Sequence, residues 1–120
     1  MQKNFLALFI CIFILQIRPV YSLDYRENYF RDALAYSSNG EFNIALEKWN
    51  EYVEKFPEDP AALSNRGNIK LVLGNPKGAI QDQNEAIKLD PDELDPYINR
   101  GIAEESLALW TEAKSDYLFV

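Results

Sequence analysis

Few residues in this chain could do covalent chemistry. There is no histidine, and the single cysteine, Cys11, lies in an apolar stretch near the start. Metal sites built on nitrogen or sulfur therefore lack their ligands, and no glycine-rich phosphate loop precedes a helix. Glu104 and Glu105 are neighbouring carboxylates, but adjacent residues point to different parts of a helix surface and do not make an acid–base pair. The run Asp90-Pro91-Asp92-Glu93-Leu94-Asp95 gathers oxygen ligands. A calcium loop needs alternating ligands, a glycine turn and a closing glutamate, so this run reads as a linker. No catalytic residue, cofactor or metal is expected. What does recur is polar recognition chemistry: Asn65-Arg66-Gly67 returns as Asn99-Arg100-Gly101.

The spacing of that pair, 34 residues, organises most of the chain. Gly40 and Gly74 share it, as do Pro57 and Pro91, and Ala45, Ala79 and Ala113. A fixed period of this length is the signature of a helical repeat array. Helices are expected over residues 25–38, 42–55, 60–73, 76–89, 95–108 and 111–120. Asp59-Pro60, Asn75-Pro76 and Asp95-Pro96 each set a capping side chain before a proline, whose missing N–H costs nothing in a first turn. Gly40 and Gly74 fall where one helix must stop and reverse. Pro57 and Pro91 close the second helix of a pair. Short connections make neighbouring helices antiparallel, and no period-two alternation competes.

In these features the chain resembles the tetratricopeptide repeat family. The unit at residues 60–93 carries the resemblance best, through Leu63, Gly67, Leu73, Gly74, Ala79, Ala86 and Pro91. Residues 26–59 match through Tyr29, Ala33, Tyr36, Gly40, Ala45, Trp49 and Pro57, and residues 94–120, an incomplete unit, through Tyr97, Gly101, Leu107, Ala113 and Tyr117. The resemblance implies an all-α, right-handed α-α superhelix, a solenoid of almost three antiparallel helix pairs. Small residues let the helices approach, and Trp49, Tyr36 and Tyr117 are expected to fill between pairs. The expected activity is protein or peptide binding in a scaffold, not catalysis.

Matched places across the units bring Asp32 opposite Lys48, Arg66 opposite Asp82 and Arg100 opposite Asp116. In antiparallel pairs these should form one helix-to-helix ion pair per unit, worth about 0–1 kcal/mol if exposed. Ala108 stands where glycine would close the third pair, so a less sharp turn is expected there. In the family the first helix of each pair lines the concave face. Carried over by place, this gives Glu27, Phe30, Arg31 and Leu34, then Ser64, Asn65, Asn68 and Leu71, then Asp95, Ile98, Asn99 and Ile102. Asn65 and Asn99 suit a peptide backbone, because an amide both donates and accepts. One subset of the family grips a C-terminal carboxylate with lysine, arginine and asparagine. The basic places here hold Phe30 and Asp95, and only Asn65 keeps its type, so that clamp is not expected.

Lys3, the apolar residues 5–17 and the stretch Arg18-Pro19-Val20-Tyr21-Ser22 have the layout of a secretory signal. Cleavage is expected after Ser22; an uncleaved signal would anchor the chain instead. The net charge of −7 becomes −9 without that segment, ten basic residues standing against nineteen acidic ones. Such a chain repels nucleic acid and anionic membrane and favours basic partners. Export implies a periplasm, a thylakoid lumen or a secretory route, and the Asn-Arg-Gly units resemble exported repeat proteins of cyanobacteria and plastids. Tyr117-Leu118-Phe119-Val120 is an apolar ending. Either the natural chain continues past it, the favoured expectation, or self-association covers it.

Overall fold

The computed structural model describes residues 23–120, and the proposed signal lies outside them. Six helices follow one another: α1 (Leu23–Ser38), α2 (Phe42–Lys55), α3 (Pro60–Val72), α4 (Pro76–Leu89), α5 (Asp95–Ser106) and α6 (Trp110–Phe119). No strand occurs among the described residues. Each helix packs on the next, and α3 also reaches α5. This is the all-α stack of three helix pairs that the 34-residue register requires.

The turns inside the pairs repeat one hydrogen-bond pattern. Gly40 N–H donates to Ser37 O and Glu41 N–H to Tyr36 O, at 3.3 and 3.0 Å. Gly74 and Asn75 donate in the same way to Leu71 and Lys70, and Ala108 and Leu109 to Glu105 and Glu104. These are Schellman closures, which need a left-handed residue at the crossing point. Gly40 and Gly74 supply it with φ of 77° and 83°. Ala108 supplies it with φ of 58°, so the third turn is as sharp as the others. Pair packing overrides alanine's backbone preference, which opposes this conformation by about 1–2 kcal/mol.

Two of the three expected caps form. Asp59 accepts from Ala62 N–H at 3.2 Å, and Asn75 from Gly78 N–H at 2.9 Å. Asp95 does not cap: α5 begins at Asp95 itself, with Leu94 before it. That start places Pro96 one position further in and leaves the Asp95 carboxylate in the first turn, where the helix dipole favours it.

The main core cluster joins the first pair to α3. Ala33, Ala45, Trp49 and Ala62 are fully enclosed, with Tyr52, Leu63 and Ile69 nearly so. Trp49 Nε1 donates to Ser37 Oγ at 2.9 Å, which satisfies the only polar atom of the buried indole. Small residues set the helix spacing. A methyl on Gly67 would come within 3.2 Å of Ala79 O on α4 and 2.8 Å of Gln83 Nε2. One on Gly101 would meet the Tyr117 ring at 2.5 Å. Of the expected aromatic fillers, Trp49 is enclosed and Tyr36 half-buried, whereas Tyr117 rides on Gly101 within its own pair and stays 37% exposed. It lies at the outer edge, where no further helix of the described chain covers it.

Candidate functional site

The polar residues in register form a ladder through the stack. Arg66 of α3 grips Asp82 of α4 with two hydrogen bonds, 2.8 and 2.7 Å. Arg100 of α5 grips Asp116 of α6 in the same way, at 2.6 and 2.5 Å. Each arginine also reaches back to an asparagine of the preceding helix, Arg66 to Asn50 at 3.4 Å and Arg100 to Asn84 at 2.9 Å. Asn50 and Asn84 share the 34-residue register, a signal that would have identified them. The Asp32–Lys48 pair of the first unit is single and partly exposed, at 3.2 Å. The other two are not surface pairs: Asp82 and Asp116 are 4% and 5% exposed. Bidentate geometry makes such pairs stronger than exposed ones.

The second and third units differ at one place beside this ladder. In the second, Lys70 Nζ joins Asp82 at 2.9 Å. The matched residue in the third is Glu104, buried next to Asp116, with Arg100 Nε 3.9 Å from its Oε1 and no hydrogen-bond partner for Oε2. Burial, and then the Asp116 carboxylate, push its pKa up to about 7 against the pull of Arg100. The hydrogen bonds that Arg100 donates to Asp116, opposed by burial, raise the guanidinium above its ordinary value.

A triangle found once among the described residues joins the first helix pair to the start of α3. Arg26 of α1 donates to Asp59 at 2.6 Å and to the Tyr52 hydroxyl at 2.9 Å, and that hydroxyl donates to Asp59 at 2.7 Å. Burial tends to raise the Asp59 carboxyl, but the bonds from Arg26, Tyr52 and Ala62 outweigh it and hold the group low.

A groove of about 320 Å³ opens between α3 and α5. Its floor carries Ser64, Asn65, Asn68 and Asn99, and its rim carries Asp90, Glu93 and Asp95. The floor is held by internal bonds: Asn99 Nδ2 to Ser64 Oγ at 3.2 Å, and buried Gln83 Nε2 to Ser64 O at 3.0 Å and Asn68 Oδ1 at 3.3 Å. Thus Asn65, Asn68 and Asn99 come together, joined by Ser64 and Asp95. Leu71 and Ile98 are half-buried, and Leu34 and Ile102 stand 41% and 46% exposed, none of the four in the groove lining. Glu27 is exposed outside it.

Phe30 and Arg31 lie elsewhere. Phe30 packs edge-on against Trp49 and Tyr52, with ring centroids at 5.0 and 5.4 Å, and belongs to the core. Arg31 bonds to Asn28 at 2.7 Å and lines a separate, open depression with Asp32 and Lys48. Aromatic packing in the first unit draws Phe30 inward, and one residue further along α1 then faces away from the α3–α5 side. Asp90 and Glu93 came from the linker rather than from a helix face, which is why matched helix places did not find them.

Known proteins are similar to this arrangement. The chain matches no family model. Sperm-associated antigen 1A of Danio rerio is 38% identical over 87 residues, 66% of this chain and 20% of that protein. The TPR repeat-containing thioredoxin TDX of Arabidopsis thaliana is 32% identical over 79 residues, 66% of this chain and 21% of that protein. The chain thus spans about a fifth of the length of these curated relatives. Among solved structures, the Arabidopsis OM64 TPR domain superposes with a TM-score of 0.77 at 25% identity, covering 80% of this chain and 79% of that one. The second TPR of Spaghetti (RPAP3), bound to the HSP90 peptide SRMEEVD, gives 0.73 at 22% identity over 77% of this chain and 85% of that one. The stack of three helix pairs superposes on these TPR domains, and the chain belongs to the tetratricopeptide repeat family.

Proposed function

We propose that this chain is a non-catalytic docking module that binds a protein or peptide segment along the concave face, in the groove between α3 and α5. The observation that carries this reading is the groove itself: three amides and a serine on its floor, held by hydrogen bonds to one another, to Gln83 and to the backbone. Amides at set spacing suit the alternating donors and acceptors of a peptide backbone. The HSP90 peptide seated in the Spaghetti domain supports peptide docking as the mode. It does not extend to the same ligand, because Phe30 is core and Asp95 is acidic at the two places where a carboxylate clamp needs cations.

A photo-crosslinking residue placed at Asn68 or Asn99 tests this. Crosslinks to a discrete protein from the groove positions, and none from Lys77 on the far helix α4, are expected. Equal labelling from both faces would refute the assignment. We place the chain in an exported compartment on the layout of residues 1–22; mature protein beginning at Leu23, read by N-terminal sequencing, is the expected outcome.

A second reading is self-association through the outer edge of α6, where Trp110, Leu118, Phe119 and Val120 are 64%, 76%, 55% and 51% exposed. Apolar area of this kind favours association. Light scattering that shows a concentration-dependent dimer, lost in Leu118→Asp, would support it over the docking module.

A further inference from the structure

The groove has a polarity that the docking reading leaves open, and the inference below rests on that reading. Of its amide nitrogens, those of Asn65, Asn99 and Gln83 are already engaged, and Asn68 Nδ2 alone donates to none of the described residues. Asn65 Nδ2 donates to Ala61 O at 2.9 Å, Asn99 Nδ2 to Ser64 Oγ, and Gln83 Nε2 to Ser64 O and Asn68 Oδ1. Apart from Asn68 Oδ1, the oxygens are not. Oδ1 of Asn65 and of Asn99 accept no hydrogen bond from the described residues, and the fully buried Gln83 Oε1 beneath the floor has no partner.

The rim adds to the imbalance. Asp90 and Glu93 each accept one long backbone contact, at 3.3 and 3.5 Å, and neither they nor Asp95 form an ion pair among the described residues. No lysine or arginine lines the groove. The net charge of −9 over residues 23–120 gives the near field the same sign.

An occupant must therefore bring donors. From this surplus of acceptors we propose that the groove selects an extended segment bearing lysine or arginine, its backbone N–H groups on the asparagine oxygens and its cationic side chains among Asp90, Glu93 and Asp95. An acidic segment would meet three carboxylates and few free donors.

The test uses the full chain and three fluorescent peptides of equal length, alike except that lysine, glutamine or glutamate fills the alternate positions. The lysine peptide is expected to bind about tenfold more tightly than the glutamate peptide at low salt, with the ratio shrinking toward unity near 0.5 M salt. Asp90→Asn, Glu93→Gln and Asp95→Asn together should abolish the preference. Glu47→Gln, Glu54→Gln and Glu58→Gln, which remove the same charge from exposed sites elsewhere, should leave most of it. Equal or tighter binding of the glutamine or glutamate peptide would overturn the charge assignment and leave peptide docking standing. A preference that survives the rim substitutions would also overturn it. If none of the three binds at millimolar peptide, the docking reading fails and takes this inference with it.

Discussion

Replacing Glu104 should make this protein more stable at neutral pH and remove part of its pH dependence. The second unit supplies the internal reference: there Lys70 joins Asp82 at 2.9 Å, where the third unit sets Glu104 beside Asp116. A carboxyl held at about 7 in the folded chain, against the usual 4.5, favours the folded state while protonated. That contribution is complete below about pH 4.5 and is lost as pH rises through 7, because the folded state binds the extra proton across that window. The full difference corresponds to about 3 kcal/mol. Relaxation of Glu104 toward water at the open edge lowers the expected effect to about 1–2 kcal/mol. Urea unfolding, followed by circular dichroism, should give a lower midpoint at pH 8 than at pH 5.5 for the native sequence. Glu104→Gln should reduce this gap, and Glu104→Lys should raise the pH 8 midpoint further by recreating the second unit's ion pair. An identical pH response in the native sequence and Glu104→Gln would refute the reasoning.

Four further substitutions probe the packing and the triangle at Asp59. Ala108→Gly should stabilise the chain by about 0.5–1 kcal/mol, the relief of left-handed strain less glycine's greater unfolded-state entropy; thermal melting should show a rise of a few degrees. Gly67→Ala should cost about 1–2 kcal/mol, because the new methyl meets backbone at Ala79 and the buried Gln83 amide. Gly101→Ala should cost less by the same melt, since the obstructing Tyr117 ring can swing into solvent and alanine gains about 1 kcal/mol of helix propensity. Asp59→Ala should cost about 2–4 kcal/mol in urea unfolding, as a cap is lost and Arg26 and Tyr52 lose their shared acceptor. Because the Asp59 carboxyl is held below its ordinary range, its contribution is present above about pH 4 and lost as pH falls further. An acid titration should show that loss in the native chain and a weaker one in Asp59→Ala.

The sequence made legible whatever recurs. Arg66 and Asp82, Arg100 and Asp116, and Asp32 and Lys48 could be paired before any coordinates, because two helices hinged at a glycine bring matched places together. Their burial was not legible, since the depth of a pair depends on the helices stacked above and below. The Arg26–Tyr52–Asp59 triangle left no trace in the register: the places one unit later hold Pro60, Ala86 and Glu93. Ala108 misled because residue preference was weighed without the two helices that force its backbone. Of the groove, the amides were found from their helix positions. The rim was not, because Asp90 and Glu93 sit on a linker whose course follows from where α5 starts, one residue earlier than the Asp-Pro signal implies.

The single triangle at Asp59 also makes the stack unequal along its length. Within residues 23–120, the first three helices are cross-braced, while the ten-residue α6 is braced by Arg100 but crowded by like charge. Unfolding under load or protease should therefore start as a peeling of the C-terminal hairpin and arrest at α3. The groove, with one wall on α3 and the other on α5, spans that boundary, so a bound segment would fasten the loose end to the braced one.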